Sequence, residues 1–124
     1  MRRRFSCITL LLAVCVLPAP ARAQDADNGK TVFRQMCSPC HALTPGRTLV
    51  GPTLFGVVGR KSGSESNFQY SDANKKSGLT WDPATLDRYL TAPREVMQGT
   101  KMVFAGLKDD QKRHDVIAYL ATIH

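Results

Sequence analysis

The sequence predicts an all-α domain, a few helices separated by long loops. Three observations carry that expectation. Apolar residues recur at helical spacing in separate stretches, each opened by a polar residue suited to capping a helix. Between the first two stretches, residues 42–63 carry Pro45, Gly46, Gly51, Pro52, Gly56, Gly59 and Gly63, which break any regular repeat. The first stretch also runs into Cys37-Ser38-Pro39-Cys40-His41. Two cysteines three positions apart can each form a thioether to a haem vinyl group, and the histidine directly after them then lies where its imidazole can bind iron. The plain alternative is a chance pair of cysteines beside a surface histidine, so the remainder of the chain must supply a targeting route, a fold of suitable size and a sixth iron ligand.

The N-terminus supplies the route. Met1-Arg2-Arg3-Arg4 is a basic start, Phe5 to Leu17 is apolar, and Pro18-Ala19-Pro20-Ala21-Arg22-Ala23 ends in Ala-x-Ala. This is the pattern of a secretory signal peptide over 1–23, cleaved after Ala23, with one domain over 24–124 exported to a bacterial periplasm. The apolar run is too short for a comfortable membrane span, and no stop-transfer charges follow it. Cleavage leaves 101 of the 124 residues, few for a self-sufficient core. Cys7 and Cys15 leave with the leader, so Cys37 and Cys40 become the mature chain's only thiols. Four of the 17 Lys and Arg leave as well, so the mature chain keeps 13 against 10 acids, a net +3. Nucleic-acid binding thereby loses its main support.

Taken in order, the mature chain begins loosely over Asp25 to Asp27. Asp27 or Asn28 then caps a helix with Val32, Phe33 and Met36 on one face. Gly29 inside that helix costs about 1 kcal/mol relative to alanine, which points to a close approach of another backbone; the plain alternative is a frayed first turn, where glycine costs little. The broken stretch 42–63 is a loop too long for ordinary packing in a small domain. Its Leu49, Val50, Leu54, Phe55, Val57 and Val58 suit wrapping around a planar apolar cofactor. A short helix follows, begun by Ser71 or Asp72 and ended by Gly78. Asp82-Pro83 opens the next, with Leu86, Tyr89 and Leu90 as its apolar face and Pro93 at its end. A second loop covers Pro93 to Leu107. The last helix starts near Asp109-Asp110 and buries Val116, Ile117, Tyr119, Leu120 and Ile123.

These features together resemble a class I c-type cytochrome, of the group that contains mitochondrial cytochrome c and bacterial cytochrome c2. The resemblance covers Gly29 to Leu120. It rests on Gly29 with Phe33, Cys37-x-x-Cys40-His41, Gly51-Pro52, Gly59-Arg60-Lys61-Ser62-Gly63 and Tyr70-Ser71-Asp72-Ala73-Asn74-Lys75. It continues through Thr80-Trp81, Tyr89-Leu90, Gly99-Thr100-Lys101-Met102-x-Phe104-Ala105-Gly106 and Asp115-x-Ile117-Ala118-Tyr119-Leu120. The fold it implies is small and all-α, three to five helices and long loops wrapped around one covalent haem c.

The resemblance implies that Cys37 and Cys40 carry the haem and that His41 and Met102 are its axial ligands. A thioether is a soft ligand that raises the reduction potential, and an iron closed on both faces suits electron transfer, not bond-making. Met97 lies in the same loop and is the competitor, while Met36 abuts Cys37; His114 and His124 read as surface residues. Pro52 resembles the proline whose carbonyl orients the axial histidine. Arg60, Tyr70 and Trp81 resemble donors to the haem propionates, and Asn74, Tyr89 and Thr100 resemble polar groups around an internal water near the methionine.

Two departures from the family pattern stand out. The loop from His41 to Pro52 is one residue shorter than in the mitochondrial proteins. Gln98 stands where proline usually precedes Gly-Thr-Lys-Met, which predicts an easier loss of the Met102 ligand. Lys75, Lys76, Arg94, Lys101 and Lys108 form a candidate basic surface for redox proteins with acidic docking surfaces, though Met36, Glu95 and Asp109 replace frequent lysines. The function implied is a monomeric periplasmic carrier of single electrons, not an enzyme, working between a membrane quinol-oxidising complex and a terminal oxidase, reductase or reaction centre. A dedicated haem subunit of one periplasmic dehydrogenase is the alternative. A peroxidase of the two-haem type needs a second CxxCH, and a dithiol oxidoreductase needs a βαβ pattern; the sequence has neither.

Overall fold

The structure, a computed structural model, describes residues 23–124. The signal peptide expected over 1–23 therefore lies, apart from Ala23, outside the described residues. Among the described residues five helices follow one another: α1 (Ala26–Met36), α2 (Asp72–Lys76), α3 (Pro83–Thr91), α4 (Pro93–Val96) and α5 (Asp110–Ala121). Among the described residues the β-structure is one isolated bridge, Lys61 to Thr80. No helix among them is long and apolar enough to cross a membrane.

Each helix begins where a side chain meets otherwise unpaired amide groups. The cap of α1 is Asp25, whose carboxylate accepts from the Asp27 and Asn28 N–H groups, and not Asp27 or Asn28 as the sequence suggests. The supposed loose start is thus the cap itself. Ser71 caps α2, and Asp82 caps α3 with Pro83 at its first position, where a missing N–H costs nothing. Asp109 caps α5. Helix α4 is a short turn inside a segment that the sequence shows only as loop. Pro93 does end α3, and its fixed φ also starts α4.

α1 crosses α5, and the crossing explains Gly29. A Cβ built at Gly29 would collide with the Asp115 carbonyl and the Tyr119 Cβ. The two backbones therefore meet there, burying Val32 and Phe33 against Val116, Ile117 and Leu120. Burial of each such side chain contributes about 1.5–3 kcal/mol. Tyr119 and Ile123, expected in this stripe, are only half-buried. Tyr119 instead lays its ring against Phe33, 5.8 Å between centroids. Two charged residues of α5 are buried instead, Arg113 and Asp115. Asp115 accepts from the Asp25 N–H at 2.8 Å, from Asn28 Nδ2 and from Gln111 Nε2 at 2.8 Å, so its charge locks the start of α1 onto α5. α3 also packs on α5, and the long loop between α1 and α2 helps to line the cavity beside them.

Candidate functional site

Past the end of α1 the chain makes one tight turn. The Cys37 and Ser38 N–H groups both donate to the Phe33 carbonyl at 2.9 Å, and the Cys40 and His41 N–H groups donate back to the Cys37 carbonyl at 3.1 and 3.0 Å. This turn brings Cys37, Cys40 and His41 to one cavity of about 460 Å³, within the roughly 300–1,000 Å³ typical of small-molecule and cofactor sites. Both thiols are free. Burial, with the neighbouring Cys40 adding to it, pushes the Cys37 thiol up to about 11.

The imidazole of His41 is held from two directions. Its Nδ1–H donates to the Pro52 carbonyl at 2.7 Å, and Gly51 lies flat against the ring, since a Cβ there would strike three ring atoms. Protonation at Nδ1 leaves the Nε2 lone pair for a metal. Burial holds the imidazole below its ordinary pKa, and the nearby Arg60 charge adds to this against the opposing pull of the Pro52 carbonyl. The ring is therefore neutral, as an iron ligand must be.

Met102 lines the same cavity, presented by the loop after α4. Thr100 Oγ1 accepts from the Met102 N–H at 3.3 Å and is bonded to Tyr89 Oη at 3.2 Å; that hydroxyl lies 3.7 Å from Met102 Sδ. Burial, partly offset by Thr100, raises the Tyr89 pKa, so the group stays a neutral hydroxyl. Met97, the competing thioether, is packed in the core at 4% exposure and does not line this cavity. Met36 is exposed at the cavity's edge. His114 is half-exposed beside Asp87, and His124 is exposed.

The polar wall fits a flat molecule that carries carboxylates. Arg60 spends Nη1 on the Phe55 carbonyl (2.9 Å) and Glu65 Oε1 (2.8 Å), and Nη2 on the Thr53 carbonyl (2.7 Å). Its buried Nε–H has no partner among the described residues, and Arg60 lines the cavity. An unpaired buried donor costs about 1–3 kcal/mol, so a ligand acid is its natural acceptor. Tyr70 Oη accepts from the Glu65 N–H at 3.3 Å and keeps its own proton to give. Trp81 lines the cavity beside Tyr89, the ring centroids 4.8 Å apart. These groups suit the two propionates of a haem.

Of the three groups expected around an internal water, Tyr89 and Thr100 meet at Met102. Asn74 lines the cavity as well, but its Oδ1 accepts from the Ser62 hydroxyl at 2.6 Å. Lys75, Lys76, Arg94, Lys101 and Lys108 are all exposed. Two of them are tied back to the chain, Lys101 Nζ donating to the Gln69 carbonyl at 2.9 Å and Lys108 Nζ to the Thr91 carbonyl at 2.6 Å. Nothing in the sequence pointed to Glu65 beside Arg60, or to Thr53, whose hydroxyl donates to the Thr44 carbonyl at 2.8 Å and accepts from the Phe55 N–H. A glutamate and a threonine in a polar loop carry no periodic signal.

Known proteins resemble the chain over most of its length. A family model described as cytochrome c matches residues 26–124. Cytochrome c2 of Rhodomicrobium vannielii is 53% identical over 119 residues, 94% of this chain and 94% of that protein. Cytochrome c2 of Blastochloris viridis is 49% identical over 111 residues, 89% of this chain and 87% of that protein. Among solved structures, cytochrome cH from Methylobacterium extorquens superposes with a TM-score of 0.75 at 48% identity, covering 79% of this chain and 98% of that one.

Proposed function

Since the chain belongs to the cytochrome c family of electron carriers and bears one covalently bound haem c, we propose that it is a periplasmic one-electron shuttle in which His41 and Met102 would ligate the haem iron. The observation that carries the reading is that a neutral, oriented imidazole and a thioether line one cavity beside the two thiols. The bound haem supplies a one-electron ferric–ferrous couple. Cys37 and Cys40 fix the group by thioether bonds. His41 is aimed by the Pro52 carbonyl and pressed by Gly51, so its geometry is set before any electron arrives. Met102, with Tyr89 and Thr100 around it, would offer the iron a soft thioether, which favours the ferrous form. Arg60, Tyr70 and Trp81 hold the propionates, and the apolar lining keeps water from the iron.

The leader over 1–23, cleaved after Ala23, delivers the chain to the periplasm, where it works as a monomer. Lys75, Lys76, Arg94, Lys101 and Lys108 steer it to acidic faces of a membrane quinol-oxidising complex and of a terminal oxidase, reductase or reaction centre. The test is stopped-flow reduction and oxidation of the purified holoprotein by periplasmic and membrane redox partners at rising salt. Rates that fall steeply with salt support the reading; flat rates remove the steering, and rapid carbon monoxide binding to the reduced protein removes the closed iron. A dedicated subunit of one dehydrogenase is the second reading, favoured by the exposed apolar Met36, Leu49, Val50 and Val103. Co-elution with a dehydrogenase from periplasm, in place of a lone monomer, selects it.

A further inference from the structure

The loop that presents Met102 is anchored at its far end by a cation that the cavity does not use. Arg113, on α5, is only 5% exposed. Its guanidinium reaches three segments at once: Nε donates to Asp87 Oδ1 on α3 at 2.6 Å, Nη1 to the Leu107 carbonyl at 2.9 Å, and Nη2 to Asp110 Oδ1 at 2.8 Å. Leu107 ends the Met102 loop. Its N–H donates to the Leu90 carbonyl at 2.7 Å, and Lys108 Nζ donates to the Thr91 carbonyl at 2.6 Å. Gly106 packs so closely on the Thr91 carbonyl that a Cβ would not fit. The exit of the loop is thus sewn to the last turn of α3, the helix that also carries the Tyr89 hydroxyl near Met102 Sδ.

Asp87 sits at the middle of this arrangement. It is the partly buried anion that Arg113 meets on α3, and His114 Nε2 approaches the same oxygen at 3.3 Å. Asp110, the other anion, is largely exposed and belongs to the same helix as Arg113, so it ties nothing across helices. A buried guanidinium deprived of its anion is costly and swings towards water, and here it would release the Leu107 carbonyl as it did so.

We infer that Asp87 is a positioning residue: by fixing Arg113 it clamps Leu107 to α3 and sets how often the Met102 loop opens away from the iron. The inference rests on Met102 being the axial ligand. Loops of this kind open locally, at free energies below that of global unfolding, and a clamp at the exit raises that local gap without touching the ligand.

The experiment compares ferric holoprotein of the native chain, of Asp87→Asn, and of Asn28→Ala as a control that weakens the α1–α5 lock instead. Imidazole is the probe, its binding followed by stopped flow, with global stability measured in guanidinium chloride. Asp87→Asn is expected to admit imidazole roughly tenfold faster, the loss of one charge-assisted hydrogen bond. Asn28→Ala is expected to bind at the native rate despite its own stability loss. Equal rates in Asp87→Asn and the native protein overturn the clamp, as does equal acceleration in the control. Should Asp87→Asn hold no haem, Asp87→Glu is read in its place: the carboxylate shifts by one methylene, faster imidazole entry supports the clamp and the native rate overturns it. A native ferric spectrum without the weak far-red iron–sulfur band is a separate failure, that of Met102 ligation, and takes the clamp's purpose with it.

Discussion

The ring of His41 is gripped between a donor bond and a missing side chain: its Nδ1–H meets the Pro52 carbonyl at 2.7 Å, and the bare Cα of Gly51 lies against its face. The residue before the proline must be glycine because the ring already occupies the place of a Cβ. Gly51→Ala is expected to tilt the imidazole and destabilise the holoprotein by about 1–3 kcal/mol, the usual cost of overpacking. The haem content of purified protein and its guanidinium chloride midpoint check this, and a variant equal to native in both would contradict it.

Gln98 opens a turn that is built for proline. The Thr100 N–H donates to the Met97 carbonyl at 3.1 Å across Gln98-Gly99, and Gly99 has φ +89°, which a type II turn requires at its third position. Such turns favour proline at the second position, and no backbone bond of the Gln98 N–H appears in this turn. Gln98→Pro is expected to stabilise the loop by about 0.4–1 kcal/mol through the unfolded state. The far-red band should then persist to higher pH than in the native protein; an unchanged or lower alkaline midpoint would sink the idea.

The proposed closure of the iron rests on Met102, which lines the cavity. Met102→Ala is expected to abolish the far-red band and let the reduced protein bind carbon monoxide rapidly, while Met97→Leu leaves both properties native. Met102→His should lower the potential by a sizeable part of the roughly 0.8 V over which axial ligands tune haem. Potentiometry and carbon monoxide kinetics read both results, and a native band in Met102→Ala would point to another ligand.

Asp115 gives stability a dependence on acid. Burial alone would raise its pKa, but hydrogen bonds from Asn28, the Asp25 N–H and Gln111 hold it below the ordinary value of 3.8. A carboxyl whose folded pKa is depressed contributes stability that is fully present above the unfolded value and is lost as pH falls through the folded one. The melting temperature should therefore hold above about pH 4 and fall below it. Asp115→Asn should lower the melting temperature throughout, through about 1–3 kcal/mol of stability lost where a donor is left without an acceptor, and flatten the acid slope. An acid slope as steep in Asp115→Asn as in the native protein would place the effect elsewhere.

Much of this was legible because the physics is local. Capping by Asp82, by one of Ser71 and Asp72 and by the Asp109-Asp110 pair, the proline that starts α3 and the glycine-broken loops each depend on residues a few positions apart, and the structure selects Ser71 and Asp109. Gly29 was readable as a close approach because a glycine inside a helix has a cost that something must offset. The cap of α1 was misplaced by two or three residues, since Asp25, Asp27 and Asn28 are all competent caps and only packing on α5 chooses among them. α4 was missed because four residues carry no period.

By itself the sequence determined the Cys37-x-x-Cys40-His41 spacing, the loop context of Met102 and the order of α1, α2, α3 and α5, all short-range patterns set by residues close together in the chain. The tertiary structure alone decided which thioether lines the cavity, that the buried Arg60 Nε–H has no partner among the described residues, and that Asp87 meets Arg113 across 26 positions. Those pairings arise from how α3 and α5 cross and how the loops close over them. Residues distant in sequence meet there through packing of whole elements, and no local spacing encodes it.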